Sequence, residues 1–105
     1  MFDHKNLLSI DELSAEDIMT VLTYDKTFEE VNERPIKKVP ALRGKTICNL
    51  FLEPSTRTRG SFELAEKRLS CDTINAGGSA SSTVKGESLV DTVETLCAYK
   101  IDMII

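Results

Sequence analysis

Five consecutive residues, Ser55-Thr56-Arg57-Thr58-Arg59, carry three hydroxyls and two guanidinium groups. They follow a short apolar run, Ile47-Cys48-Asn49-Leu50-Phe51-Leu52, and precede a stretch with helical spacing. That places them at a strand-to-helix turn, where backbone N–H groups lack intrahelical partners and the helix dipole is positive. Such a turn is a ready anion site. Arg57 can pair bidentately with phosphate and stays charged at every accessible pH. Ser55, Thr56 and Thr58 each add a hydroxyl donor. The plainer reading is a serine N-cap beside two surface arginines. The density of donors directly after a buried strand favours a cradle for phosphate or carboxylate.

Other residue types add less. Lys85 ends a loop rich in glycine and serine, Gly77 to Gly86. It reads equally well as a solvated lysine and as a cation that closes over a bound anion. Glu87 and Asp91 lie four apart at a helix start, where acidic side chains suit the dipole. His4 is the only histidine and reads as an exposed residue, so no Ser-His or Cys-His nucleophile pair can be assembled. No G-x-x-x-x-G-K-[ST] phosphate loop is present, and Gly77-Gly78 is no dinucleotide fingerprint. An enzyme built on these residues works by positioning and electrostatic stabilisation.

The elements that position these groups can be read from spacing. Ser14 and Asp17 form a capping-box pair, and a helix is expected from Ala15 to Glu33. Ile18, Val21, Leu22 and Phe28 fall on its apolar side. Pro35, Pro40, Lys37 and Lys38 mark a connector. A strand follows at about Lys45 to Leu52, its near-continuous apolar run implying cover on both faces. The next helix spans about Thr56 to Leu69, with Phe62, Ala65 and Leu69 inward and Glu63, Glu66, Lys67 and Arg68 wet. A short strand, Asp72 to Ala76, leads into the polar loop. A third helix covers Ser88 to Tyr99, with Leu89, Val93, Leu96 and Cys97 inward. The last strand is Ile101 to Ile105. The alternation predicts an α/β fold, an open parallel sheet with flanking helices. Ligands of such sheets bind beyond the carboxyl ends of the strands. Both Ser55–Arg59 and the Lys85 loop lie at that edge. Three strands are few for this class, so a truncated chain or half of a larger domain is expected.

Composition narrows the partners. The chain has 105 residues, 41% of them hydrophobic and 29% charged, with a net charge of -4. An acidic chain argues against nucleic acid as a partner, and its positive turn suits a small anion instead. The cysteines, Cys48, Cys71 and Cys97, are odd in number and widely spaced. They read as buried free thiols rather than a disulfide framework or zinc site. No metal or other cofactor is expected. No run approaches membrane-spanning length, no apolar signal core opens the chain, and a cytoplasmic location is expected.

Phe51-Leu52-Glu53-Pro54-Ser55-Thr56-Arg57-Thr58-Arg59 with Ser61-Phe62-Glu63 closely resembles the carbamoyl-phosphate signature of the aspartate/ornithine carbamoyltransferase family. Lys85-Gly86-Glu87-Ser88 with Asp91-Thr92 looks like that family's second element. The Glu53-Pro54 pair and the Lys-Gly-Glu order are similar to its aspartate branch. The resemblance implies that residues 1–105 form an incomplete carbamoyl-phosphate-binding domain without the aspartate-binding domain. It implies carbamoyl transfer from carbamoyl phosphate to L-aspartate, an early step of pyrimidine synthesis. Ser55, Thr56, Arg57 and Thr58 would hold the phosphate, with Arg57 countering charge on the departing group and Thr58 reaching the carbonyl oxygen. Ser81 and Lys85 would enter a neighbouring subunit's site in a homotrimer, and a regulatory chain is compatible with the resemblance. An ornithine or related carbamoyltransferase and a non-catalytic anion-binding module are the alternatives. These 105 residues alone are not expected to catalyse the reaction.

Overall fold

The computed structural model describes residues 2–77 and 89–105. They fall into two compact units, one ending at Lys37 and the other beginning at Lys38.

The first unit is a 3-10 turn, Ile10–Glu12, followed by helix α1, Ala15–Asn32. The expected capping box is present. Ser14 Oγ accepts from the Asp17 N–H at 3.1 Å, and the Asp17 carboxylate accepts from the Ser14 N–H at 3.0 Å. His4 is fastened here rather than free, with Nε2 2.8 Å from Asp17 Oδ2. The apolar side expected of α1 is largely exposed, with Val21, Leu22 and Phe28 open to solvent and Val31 the buried residue. One helix and one 3-10 turn supply no second layer to cover that stripe.

The second unit carries strand β1, Thr46–Phe51; helix α2, Thr56–Arg68; strand β2, Asp72–Gly77; helix α3, Leu89–Cys97; and strand β3, Met103–Ile104. The sheet order is β2-β1-β3, and both pairings are parallel. The α/β reading with an open parallel sheet therefore holds. Central β1 buries Ile47, Cys48 and Asn49 in succession, which requires cover on both faces.

Gly44 opens the approach to β1 with φ +87, a left-handed conformation that favours glycine. At the far end of α2 the chain closes a Schellman motif. The Cys71 N–H donates to Glu66 O at 2.9 Å and the Ser70 N–H to Lys67 O at 3.1 Å. Ser70 takes φ +70 there, and its hydroxyl donates to Val39 O at 2.8 Å. The Val39 and Leu42 N–H groups bond the carbonyls of Arg68 and Leu69. These contacts satisfy carbonyls that a helix end leaves open and tie α2 to the segment leading into β1.

Two inward stripes differ from the periodic reading. On α2, Phe62 and Ala65 are exposed and Leu69 is half-buried, whereas Glu66, expected on the wet face, is only 3% exposed. On α3, Leu89 and Cys97 are exposed, and the buried residues are Thr92 and Leu96. The three cysteines are free as expected, but only Cys48 is buried. Cys71 is half-buried, and Cys97 is exposed because it lies on the open side of α3. Among the described residues no helix is long and apolar enough to cross a membrane.

Candidate functional site

β1 ends at Phe51, and Leu52-Glu53-Pro54 turns the chain into α2. Proline supplies no N–H for a ladder, which suits the end of a strand. The turn is held by Phe51 against Phe62, ring centroids 6.5 Å apart and planes tilted by 52°. Ser55 occupies the N-cap position, and the first helical bond runs from the Arg59 N–H to Ser55 O at 2.9 Å.

The Ser55 side chain makes no capping hydrogen bond. Its φ and ψ of -146 and 69 lie away from the β-region backbone usual for a serine cap. The contrast with Ser14 is direct, since that hydroxyl does cap its helix. The first-turn amides of α2 thus remain unserved by Ser55, and its hydroxyl is left for another partner. No acidic residue stands in the first turn of α2 to offset the positive dipole end. Thr56, Arg57, Thr58 and Arg59 are exposed, and Ser55 is half-buried. Among the described residues the Arg57 guanidinium makes no ion pair or hydrogen bond. The arrangement brings amides, hydroxyls and a free guanidinium to the carboxyl end of the central strand. That donor set suits a tetrahedral anion.

Charges further along α2 are already engaged. The Glu63 carboxylate pairs with Lys67 Nζ at 3.0 Å. Lys67 chiefly, with lesser contributions from Asn75 and Arg59, holds that carboxyl below its usual range. Burial, reinforced by Glu66, pushes the Cys48 and Cys71 thiols up, away from the nucleophilic thiolate form.

The structure therefore brings Ser55, Thr56, Arg57 and Thr58 together on one helical turn. Ser81, Lys85 and Glu87 lie outside the described residues. Asp91 falls in the first turn of α3, as expected. The periodic reading missed a buried polar cluster beneath α2, where Asn49 Nδ2 donates to Glu66 Oε1 at 2.9 Å and to Asn75 Oδ1 at 3.1 Å. A signal for it did exist. Asn49 interrupts a buried apolar strand, and a buried amide demands partners.

A family model described as aspartate/ornithine carbamoyltransferase, carbamoyl-P binding domain, matches residues 5–105. The chain belongs to this family. The aspartate carbamoyltransferase catalytic subunit of Desulfotalea psychrophila is 58% identical over 104 residues, which cover 99% of this chain and 33% of that protein. Among solved structures, the catalytic subunit of M. jannaschii aspartate transcarbamoylase superposes with a TM-score of 0.82 at 40% identity, covering 96% of this chain and 33% of that one. Aspartate transcarbamoylase from Trypanosoma cruzi, in complex with carbamoyl phosphate and aspartate, gives a TM-score of 0.85 at 31% identity, covering 98% and 32%. The chain thus spans about a third of the length of the relatives it matches. The family's aspartate branch, expected from Glu53-Pro54, is the one these relatives carry in their names.

Proposed function

We propose that this chain supplies the phosphate cradle of an aspartate carbamoyltransferase, which makes N-carbamoyl-L-aspartate and phosphate for de novo pyrimidine synthesis. The observation that carries the reading is the start of α2. Its N-cap hydroxyl makes no cap bond and, among the described residues, the Arg57 guanidinium has no partner, in a chain belonging to a carbamoyl-phosphate-binding family. The names of the relatives favour aspartate over ornithine as acceptor.

In this reading Ser55, Thr56, Arg57 and Thr58 hold the phosphoryl oxygens, residues 1–105 being part of the carbamoyl-phosphate-binding domain. The amino nitrogen of aspartate attacks the carbonyl carbon, and the Thr58 hydroxyl donates to the oxygen that gains charge. The carbon–oxygen bond to phosphate then breaks, the leaving phosphate keeps the electron pair, and the amine passes its proton to that departing phosphate. Arg57 and the α2 dipole stabilise the charge on the departing group. Preorganised donors of this kind act where charge develops. Ser81 and Lys85 act in a neighbouring subunit's site within a homotrimer.

The test is Arg57→Ala in the full-length catalytic chain. Loss of one charge-assisted contact is expected to cost about 1.5–3 kcal/mol, which weakens carbamoyl phosphate binding about 10- to 150-fold. Calorimetric titration with freshly prepared carbamoyl phosphate reads the change. Wild-type affinity in the variant overturns the assignment.

A further inference from the structure

Glu66 sits on the face of α2 that meets the sheet and is 3% exposed, and Asn49 beneath it on β1 is fully buried. Glu66 Oε1 accepts from Asn49 Nδ2 at 2.9 Å and from Thr73 Oγ1 at 3.1 Å. Asn49 Nδ2 also donates to Asn75 Oδ1 at 3.1 Å. Asn49 pairs with Asn75 in the ladder between β1 and β2, and Thr73 pairs with Ile47. Thr73 and Asn75 therefore share one face of β2, as Ile47 and Asn49 share one face of β1. One helical carboxyl is thus clamped to both strands at once.

An apolar contact would have served burial as well or better. Buried ionic clusters replaced as a whole by hydrophobic residues of similar volume often leave stability unchanged or raised. What the polar clamp adds is direction, because two donors must meet one oxygen within hydrogen-bonding range. A greasy interface lets a helix tilt, whereas this one holds α2 at a single angle. Arg57 lies nine residues from Glu66, about 13–14 Å along the helix. A tilt of about 5° at Glu66 moves Arg57 by about 1 Å over that helical length. Misplacement on that scale costs an active site up to about 100-fold.

We infer that Glu66, held by Asn49 and Thr73, is a positioning residue that sets the tilt of α2 and so aims the Ser55–Thr58 donors at the phosphate. The inference rests on the cradle reading proposed above. It touches no substrate atom and acts through the helix alone.

Four variants of the full-length catalytic chain test it: Glu66→Leu, Glu66→Gln, Thr73→Val and Arg57→Ala. Each is measured for melting temperature and for carbamoyl phosphate affinity. Glutamine keeps the accepting oxygen, so Glu66→Gln should bind within about threefold of wild type. Leucine removes the accepting oxygen and leaves the Asn49 and Thr73 donors short of a partner, so Glu66→Leu should melt lower and, where it is folded, bind at least about tenfold more weakly. Wild-type affinity in Glu66→Leu overturns the inference. So does Glu66→Gln binding as poorly as Glu66→Leu. Where Glu66→Leu does not fold, Thr73→Val decides. It removes one of the two bonds to Oε1 and should weaken binding about threefold, and wild-type affinity sinks the proposal. Arg57→Ala separates the two readings. If it binds normally, the cradle fails whatever Glu66 does. If it binds poorly while Glu66→Leu binds normally, only the positioning role fails.

Discussion

Two serines at helix N-caps, Ser14 and Ser55, offer an internally controlled prediction. Ser14 Oγ accepts from the Asp17 N–H at 3.1 Å as half of a capping box. Ser55 stands at the same position of α2 without a side-chain cap bond. Replacing a capping serine by alanine costs about 1 kcal/mol, within a range of about 0.5–2. Ser14→Ala should therefore lower the ligand-free stability of the full-length chain by about that much. Ser55→Ala has no such bond to lose and should stay within about 0.5 kcal/mol of wild type, as substitutions that break no cap and open no core do. Binding should respond in the opposite order. If the Ser55 hydroxyl donates to a phosphoryl oxygen, its loss removes a hydrogen bond to a charged group, worth about 1.5–3 kcal/mol. That corresponds to about 10- to 150-fold weaker binding of carbamoyl phosphate, whereas Ser14→Ala should bind as wild type. Urea denaturation without ligand reads the first quantity, and calorimetric titration reads the second. The reasoning is refuted if Ser55→Ala is destabilised as much as Ser14→Ala while its affinity is intact. That result would make Ser55 an ordinary cap.

Three further perturbations follow from backbone geometry and titration. Gly44 has φ +87 with open space where a Cβ would go, so Gly44→Ala should destabilise by about 1–2 kcal/mol through backbone strain alone. Gly60 lies inside α2, also with open space at its Cβ, so Gly60→Ala should stabilise by about 0.5–1 kcal/mol; denaturant midpoints of the two variants should move in opposite directions. Asp17 is held below its ordinary value of 3.8, chiefly by the Ser14 backbone N–H and then by His4. A carboxyl whose folded pKa is depressed contributes stability above its unfolded pKa, and that contribution disappears as pH falls through the folded value. Wild type should thus exceed Asp17→Asn in stability at neutral pH and converge with it below about pH 4. A difference that persists unchanged into that acid range would contradict the assignment.

The local signals along the chain carried far. Ser14 with Asp17 announced a capping box, and the hydrogen bonds are there. The apolar run around Cys48 announced a strand covered on both faces, and Ile47, Cys48 and Asn49 are all buried. The expected helix at Thr56 begins at Thr56. These features depend on neighbours within a few residues, and the period of the pattern encodes them. The inward stripes were less legible. Glu66 stands among Glu63, Lys67 and Arg68 and reads as wet, yet its partners Asn49 and Thr73 lie 17 and 7 residues away. Leu96 is buried as expected, but Cys97, which reads as inward by its spacing from Val93 and Leu89, is exposed, and Thr92 is buried in its stead. Periodicity gives a helix two faces but does not say which of two overlapping stripes the sheet will cover.

Residue types and spacing alone determined the order of elements, the parallel α/β class and the place of the hydroxyl and guanidinium cluster between Ser55 and Arg59. All of these follow from short-range pattern and from the chemistry a side chain carries anywhere. Tertiary structure decided which groups are already spent. It shows the Ser14 hydroxyl committed to its helix and the Ser55 hydroxyl making no cap bond to its own. It takes Glu66 out of solvent and fastens it to two strands. A hydroxyl or carboxyl has the same formula in both settings. Only the backbone angles around it and the groups brought opposite by folding determine whether it is free to meet a ligand.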